Sequence, residues 1–412
     1  SPGLYNAPLL LLVLTLGLST FTASLAQTLD RHLSDQVYYQ TGSDIRLLEF
    51  GNLESAASPG KASSGTTVKE SQQAAGSQWF FLPVSEHLRI SGVQSAARVG
   101  NYTASLWVSQ DAVTGRYLGI DRTDFPQAAF WRSDFAAESL GALMNALALA
   151  PEGVLLPRAF MESQALRPGD SFHITVHTYG VSSEYDARIV GGFDYFPNWY
   201  PGDGPLVVGN LDYLFERAGG EYPYEVWLKT KPGANVPEII SKVRQIDKSL
   251  MDWKAAQPQI AEDQVKPERQ GLFGLLSIGF AAAALLTVLG FLLYAFFSFQ
   301  RRFIELGVLR AIGLSSGQMM VFLASELAFL LGAGLAAGTG LGVLVSNLFI
   351  PYLQVGATDT ARIPPFLVQI DWMSIFQMYI LFGLLFIIAL TALAVFLLRM
   401  KIFQAVKLGE AV

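Results

Sequence analysis

Four stretches of this chain are too long and too free of charge to sit in a water-soluble domain. Residues 1–29 contain no charged side chain and have LLLLVLTLGLSTFTASLA at their centre. Residues 270–300 are uncharged between Arg269 and Arg301, and residues 372–398 are uncharged between Asp371 and Arg399. Residues 311–358 hold a single charged group, Glu326. A helix of about 20 apolar residues crosses the hydrocarbon core of a bilayer. The pattern predicts four transmembrane helices, at 1–29, 270–300, 317–350 and 372–398. The first could be confused with a secretory signal, because Ser24-Leu25-Ala26 suits signal peptidase. A signal needs a basic leader, however, and nothing before Asp30 is basic, so the stretch is read as a span.

Residues 30–269 are built differently. They carry 21 Lys/Arg and 29 Asp/Glu in 240 positions, whereas the other 172 residues carry 12 charges between them. The fold class expected is therefore a multi-pass α-helical membrane protein with a large extracytoplasmic mixed α/β domain. A wholly soluble enzyme is excluded, and the net charge of −6 argues against a nucleic-acid binder. Zero cysteines remove disulfides, thiolate nucleophiles and cysteine-ligated metals.

The charges at the ends of the spans set the expected orientation. The segment 301–316 has Arg301, Arg302 and Arg310 against Glu305, and the tail 399–412 has Arg399, Lys401 and Lys407 against Glu410. The loop 351–371 has Arg362 against Asp359 and Asp371. Short basic loops stay in the cytoplasm. Both termini are thus expected inside a cell membrane, with 30–269 and 351–371 outside.

Within 30–269, Gly, Ser and Ala dominate residues 51–78, a loop composition. Alternating β-branched and aromatic runs predict strands near 37–49, 79–84, 103–109, 115–120, 172–179, 185–193 and 205–208. Helices are expected at 135–149 and 236–254, the second capped by Asn235 with Pro237 in its first turn. Residues 255–268 read as a polar hinge.

Catalytic motifs are missing: there is no phosphate-binding loop, no HExxH and no G-x-S-x-G. His173 and His177 would share a strand face but lie about 14 Å apart by strand rise, too far to share a metal. No acidic partner for them is evident, and Asp121, Asp124, Asp134 and Asp194 are scattered in loops.

The most informative stretch is FQRRFIELGVLRAIGLSSGQMMVFLASELAFL, which runs from the second span into the third. Leu306, Leu309 and Ile312 fall on one side of a short helix, with Arg302, Glu305 and Arg310 among its polar positions. Such a helix fits a groove on a soluble partner or, equally, lies at the interface with its arginines among lipid headgroups. In the third span Gly334, Gly338 and Gly342 repeat at every fourth position and predict close helix packing, while Leu331 is expected to face lipid. Glu326, about 13 Å of helix rise beyond Gly317, should face protein.

Arg302, Glu305, Gly307, Leu309, Arg310, Ala311, Gly313 and Glu326 together resemble the signature of the FtsX-like permease family, the transmembrane subunits of MacB- and Lol-type ABC transporters. The tail KIFQAVKLGEAV, the external segments LGIDRTDFPQAAFWRSDF and GVLLPRAFMESQALRPGDSFHITV, and the order of one span, external domain and three spans are also similar. The opening SPGLYNAPLLLLVLTLGLSTFTASLAQTLD resembles the start of the second half of tandem permeases, which implies a partner half. The resemblance implies a non-catalytic subunit. Arg302, Glu305, Leu309, Arg310 and Gly313 would dock on an ABC ATPase, with ATP and Mg on that partner and no cofactor on this chain. Other partners implied are a second permease half or protomer and membrane lipids. An FtsX-type signal transducer that activates an external hydrolase, or a membrane-anchored sensor without an ATPase, are the alternatives.

Overall fold

A computed structural model describes residues 3–55, 77–108, 112–301, 313, 315–354 and 362–399. They fall into two compact units, 1–32 with 264–357 and 365–412, and 33–263 with 358–364. The first is helical. It contains most of α1 (Gly3–Thr41), together with α9 (Pro267–Arg301), α10 (Ser316–Phe349) and α11 (Trp372–Arg399). Among the described residues, three helices are long and apolar enough to cross a membrane, over Leu12–Thr41, Arg269–Gly290 and Ala324–Leu353. The fourth expected span, α11, is apolar over Trp372–Ile388.

The second unit is mixed α/β. Its strands are β1 (Ile45–Glu49), β2 (Asn52–Ser55), β3 (Ser77–Phe80), β4 (Val93–Trp107), β5 (Ala112–Ile120), β6 (Gly153–Pro157), β7 (Ser171–Thr178), β8 (Val181–Phe193), β9 (Leu206–Asn210), β10 (Tyr224–Thr230) and β11 (Leu250–Ala255). The helices between them are α2 (Val84–Leu88), α3 (Phe125–Ala128), α4 (Leu140–Leu149), α5 (Arg158–Ser163), α6 (Leu211–Ala218), α7 (Val236–Ile246) and α8 (Ala256–Gln264).

Nine strands form one sheet in the order β11-β1-β10-β4-β5-β9-β6-β8-β7, and β7 returns to pair with β4. The length of β4 makes this closure possible. Residues 93–99 pair with β10, 99–107 with β5, and 103–107 with β7. Six strands therefore close into a ring, with β11, β1 and β10 running on from the other half of β4. Closure leaves fewer unpaired edges. Side chains alternate between two cores, as the two-residue period of a strand requires. On β10, Val226 and Leu228 enter one core and Trp227 the other.

Several boundaries differ from the sequence expectations. The run 37–49 is not one strand: α1 continues to Thr41, Gly42 ends it at φ +87°, and β1 begins only at Ile45. A Cβ at Gly42 would run into the Trp227 ring, so glycine is required there twice over. The helix expected at 236–254 stops at Ile246. Asp247 turns the chain by accepting hydrogen bonds from the Ser249 amide and hydroxyl at 2.7 and 2.6 Å, and Trp253 lies in β11. The strand expected at 79–84 gives way to α2, and the helix at 135–149 begins only at Leu140, where Ser139 accepts from the Ala142 amide. The hinge at 255–268 holds α8.

A buried contact between a histidine and a carboxyl sits beside that turn. His87 Nε2 lies 2.7 Å from Glu49 Oε1, and both side chains are almost wholly enclosed. Burial pushes the Glu49 carboxyl above its ordinary value, against the opposing pull of His87. A carboxyl whose folded-state pKa is raised contributes its full stability below the unfolded pKa and loses it as pH rises through the folded value. Thermal melts of wild type and Glu49→Gln should therefore diverge as pH rises from the acid range to neutrality, the variant gaining relative to wild type. Parallel curves would show that the pair keeps Glu49 ionised at no net cost.

Candidate functional site

The glycine stripe of α10 is where the helical unit is packed most closely. A Cβ on Gly338 would lie 2.7 Å from Leu16 Cβ and 3.1 Å from the Val13 carbonyl oxygen. One on Gly342 would meet Thr20 Cβ at 2.5 Å and the Gly17 carbonyl oxygen at 2.8 Å, and one on Gly334 would collide with Leu12. The facing residues Leu12, Val13, Leu16, Gly17 and Thr20 form one stripe of α1. Gly17 completes the seam from the other side, 3.4 Å from the Gly338 carbonyl oxygen by the same measure. Two backbones in direct contact gain dispersion along their length, the main driving force for helix association in lipid.

Leu331 does not face outward as expected. It is 7% exposed and packs with Leu12, Leu16 and Phe382. Its place on α10 follows from the stripe, since residue 331 is one helical step short of Gly334 on the side that meets α11. Phe329, at 80% exposed, occupies the outward face instead.

Toward the C-terminal part of the seam, α1 becomes polar at the same four-residue spacing: Thr20, Ser24, Thr28 and His32 are all buried. The Thr28 hydroxyl accepts from the Gln369 amide at 3.0 Å, Ser24 Oγ accepts from the Asp371 amide at 3.4 Å, and the His32 ring packs edge-on to Phe366. Asp371 starts α11 by accepting from the Ser374 amide at 3.0 Å. Thr339 and Tyr379 join α10 to α11 at 2.8 Å. Arg269, at the head of α9, pairs with Asp30 at 3.0 Å and lies over the Phe273 ring. A cleft of about 420 Å³ opens beside these groups, with Asp30, Ser277 and Asp371 among its walls. This ladder was readable as a four-residue polar period in α1, but it was outweighed there by hydropathy.

In the α/β unit, the C-terminal end of α1 is held by a buried ion pair. Arg132 reaches Asp35 at 2.9 Å, with the two side chains 5% and 4% exposed, and its other nitrogen bonds Asp134 at 2.6 Å. One turn on, the Tyr39 hydroxyl donates to the Trp199 carbonyl at 2.5 Å, and the Tyr39 carbonyl accepts from the Asn198 amide. The Phe130 amide donates to the Gly42 carbonyl at 2.7 Å. Residues 130–135 thus clasp the end of a helix that contributes residues to both units.

Of the other sequence-derived candidates, Arg302, Glu305, Leu309 and Arg310 lie outside the described residues. Gly313 adopts φ +107°, the left-handed region, just before Ser315 and Gln318 form a reciprocal capping box at the start of α10. Glu326 is half-buried on α10. His173, expected to lack an acidic partner, sits 3.0 Å from Asp186 and 3.9 Å from Glu184; the pairing of β7 with β8 brings them opposite. His177 contacts the Ser182 hydroxyl instead. Among the described residues no group of three His, Asp or Glu side chains could hold a metal.

The periplasmic region of MacB from Actinobacillus actinomycetemcomitans is similar at 10% identity over 55% of this chain and 94% of its own, with a TM-score of 0.32. The extracellular domain of the noncanonic ABC-type transporter YknZ from Gram-positive bacteria is similar at 9% identity over 42% and 86%, with a TM-score of 0.30. No curated protein sequence matches the chain. Residues 277–405 match the family model described as FtsX-like permease C-terminal, a range that takes in the basic segment 301–316, the glycine stripe and α11. Over those residues the chain is similar to the FtsX-like permease C-terminal family.

Proposed function

We propose that this chain is the transmembrane subunit of a MacB- or Lol-type ABC transporter. In this reading it couples ATP hydrolysis on a partner ATPase to motion of its extracytoplasmic domain. The observation that carries the reading is the FtsX-like match over 277–405, because it contains the one basic amphipathic segment between two spans. ATP and Mg belong to the partner, and this chain supplies no covalent chemistry. Arg302 and Arg310 meet acidic groups on the ATPase and Leu309 fills an apolar notch. Both termini are cytoplasmic and residues 30–269 extracytoplasmic, as the basic flanks require. A second permease half or protomer completes the assembly.

The proposal gives each structural feature a task. The seam between α1 and α10 keeps two helices in register, so movement at the start of α10 reaches α1. The helix α1 has no break between Gly3 and Thr41, and Arg132 and Trp199 grip its far end. Packed helices move as discrete bodies rather than bending gradually, which is how small displacements are transmitted.

Co-purification from native membranes, with the partners identified by mass, tests the proposal. An ABC ATPase should be recovered in stoichiometric amount. Recovery of the chain with an external hydrolase as well would favour the signal-transducer alternative, and recovery with no ATPase would remove the transporter reading.

A further inference from the structure

We propose that the α/β unit carries a docking cleft for an extended peptide that bears an apolar side chain beside a basic one. The cleft has a volume of about 450 Å³ and lies between α4, α5 and the C-terminal end of β8. Its floor is apolar: Leu143 and Met161 are buried there, and Val190 adjoins them. Sites that take a ligand or a few residues of a partner fall at about 300–1,000 Å³ and combine such a floor with a few polar groups.

One wall is bare strand. Past Ser171 and Arg188 the edge of β8 is held once more, the Ile189 amide donating to the Asp170 carbonyl and the Ile189 carbonyl accepting from the Gly169 amide; beyond it Gly191 and Gly192 have no β7 residue opposite them. On the other side, β6 passes over Val190, pairing Val154 with Ile189 and Leu155 with Gly191. The glycines keep this edge free of side chains. A Cβ on Gly191 would sit 3.2 Å from Leu143, and one on Gly192 would sit 3.1 Å from the Arg158 stem and 3.2 Å from the Met161 sulfur. Glycine within a strand marks places where another backbone approaches closely, and an incoming peptide gains affinity from backbone hydrogen bonds to such an edge.

The rim decides which peptide fits. Arg158 is already engaged, with Glu138 at 3.0 Å and Asp194 at 3.8 Å. Glu162 is exposed and makes no ion pair among the described residues. Among the lining residues, Glu138 and Glu162 stand against the single Arg158 guanidinium, which leaves the rim negative around an apolar floor. The complement is a basic residue next to an apolar one in an extended chain. This inference does not depend on the ATPase reading, since it uses only the α/β unit.

The test uses the full chain in phosphatidylcholine nanodiscs, with empty nanodiscs as the baseline. The probe is a fluorescein-labelled Lys-Leu-Lys-Leu-Lys peptide followed by anisotropy. Saturable binding is expected. Glu162→Lys, an exposed change, should weaken it about tenfold through like-charge repulsion. Ala146→Trp, which fills the cleft from α4, should abolish it. On the wild-type protein, a Glu-Leu-Glu-Leu-Glu peptide and a backbone N-methylated form of the basic peptide should both bind at least about tenfold more weakly. The proposal is overturned by no saturable binding above empty discs, by equal binding of the acidic peptide, or by full retention in Ala146→Trp.

Discussion

Asp35→Ala should lower the melting temperature of the α/β unit by roughly 10 °C, far more than Asp134→Ala does. The two carboxylates bind the same guanidinium at similar distances, but their surroundings differ. Asp35 is 4% exposed and Asp134 is 29% exposed. Removing Asp35 takes a buried carboxylate away from the Arg132 guanidinium, itself 5% exposed, at a site where bulk water has little access. Breaking a buried pair from one side destabilises by about 3–5 kcal/mol, because the surviving charge stays buried. A domain of this size shifts by about 2–4 °C per kcal/mol. Water can take the place of Asp134, so its loss falls nearer the value of a surface pair, about 0–1 kcal/mol. Scanning fluorimetry of the purified protein would read both variants. Equal shifts would mean that the pair with Asp35 is not the anchor of the α1 terminus.

Gly338→Leu should separate α1 from α10. The new side chain meets Leu16 and the backbone of Val13, and backbone atoms do not yield as a flexible side chain does. Overpacking a tight site costs about 1–3 kcal/mol, and separation also forfeits packing worth on the order of 1–2 kcal/mol per contact in membranes. Phe329→Leu, on the outward face, should leave the helical unit unchanged. Equal stability of the two variants in detergent would place the stripe against lipid or a cavity.

The long apolar helices were legible because an uncharged run of that length leaves the backbone few alternatives to a continuous helix. The glycine stripe was legible as a spacing, but its partner was not. Periodicity places Gly334, Gly338 and Gly342 on one face without saying which helix faces them, and Leu331 was misplaced for the same reason. The α/β unit was harder. The helical phase of Ile239, Ile240, Val243 and Ile246 is real, but Leu250 and Trp253 continued it by coincidence across the turn at Asp247. Val37, Tyr38 and Tyr39 carry strand-forming side chains, yet they extend α1, because tertiary packing of the aromatic pair outweighs their intrinsic preference. The anchor of Asp35 on Arg132 joins residues far apart in sequence, and no local pattern marks it. Its one trace was the WRSDF stretch within a family-like segment, where two charges sit among aromatic residues that have little reason to surround them unless the charges are used.

In the proposed mechanism, ATP hydrolysis on a partner moves the external domain through this chain. The most direct measurement places a fluorophore on Gln164→Cys in the α/β unit, with the complex of the chain and its co-purified ATPase in nanodiscs, and follows emission on addition of Mg-ATP. A change with ATP that is lost in Arg310→Glu is expected. Removing a buried, hydrogen-bonded charge at an interface costs about 2–5 kcal/mol, and reversing it adds repulsion. Insertion of the apolar helices should survive, because the substitution falls between two apolar stretches of the sequence and within neither. An emission change that persists unaltered in Arg310→Glu, or no response to ATP in the wild-type complex, would contradict the account.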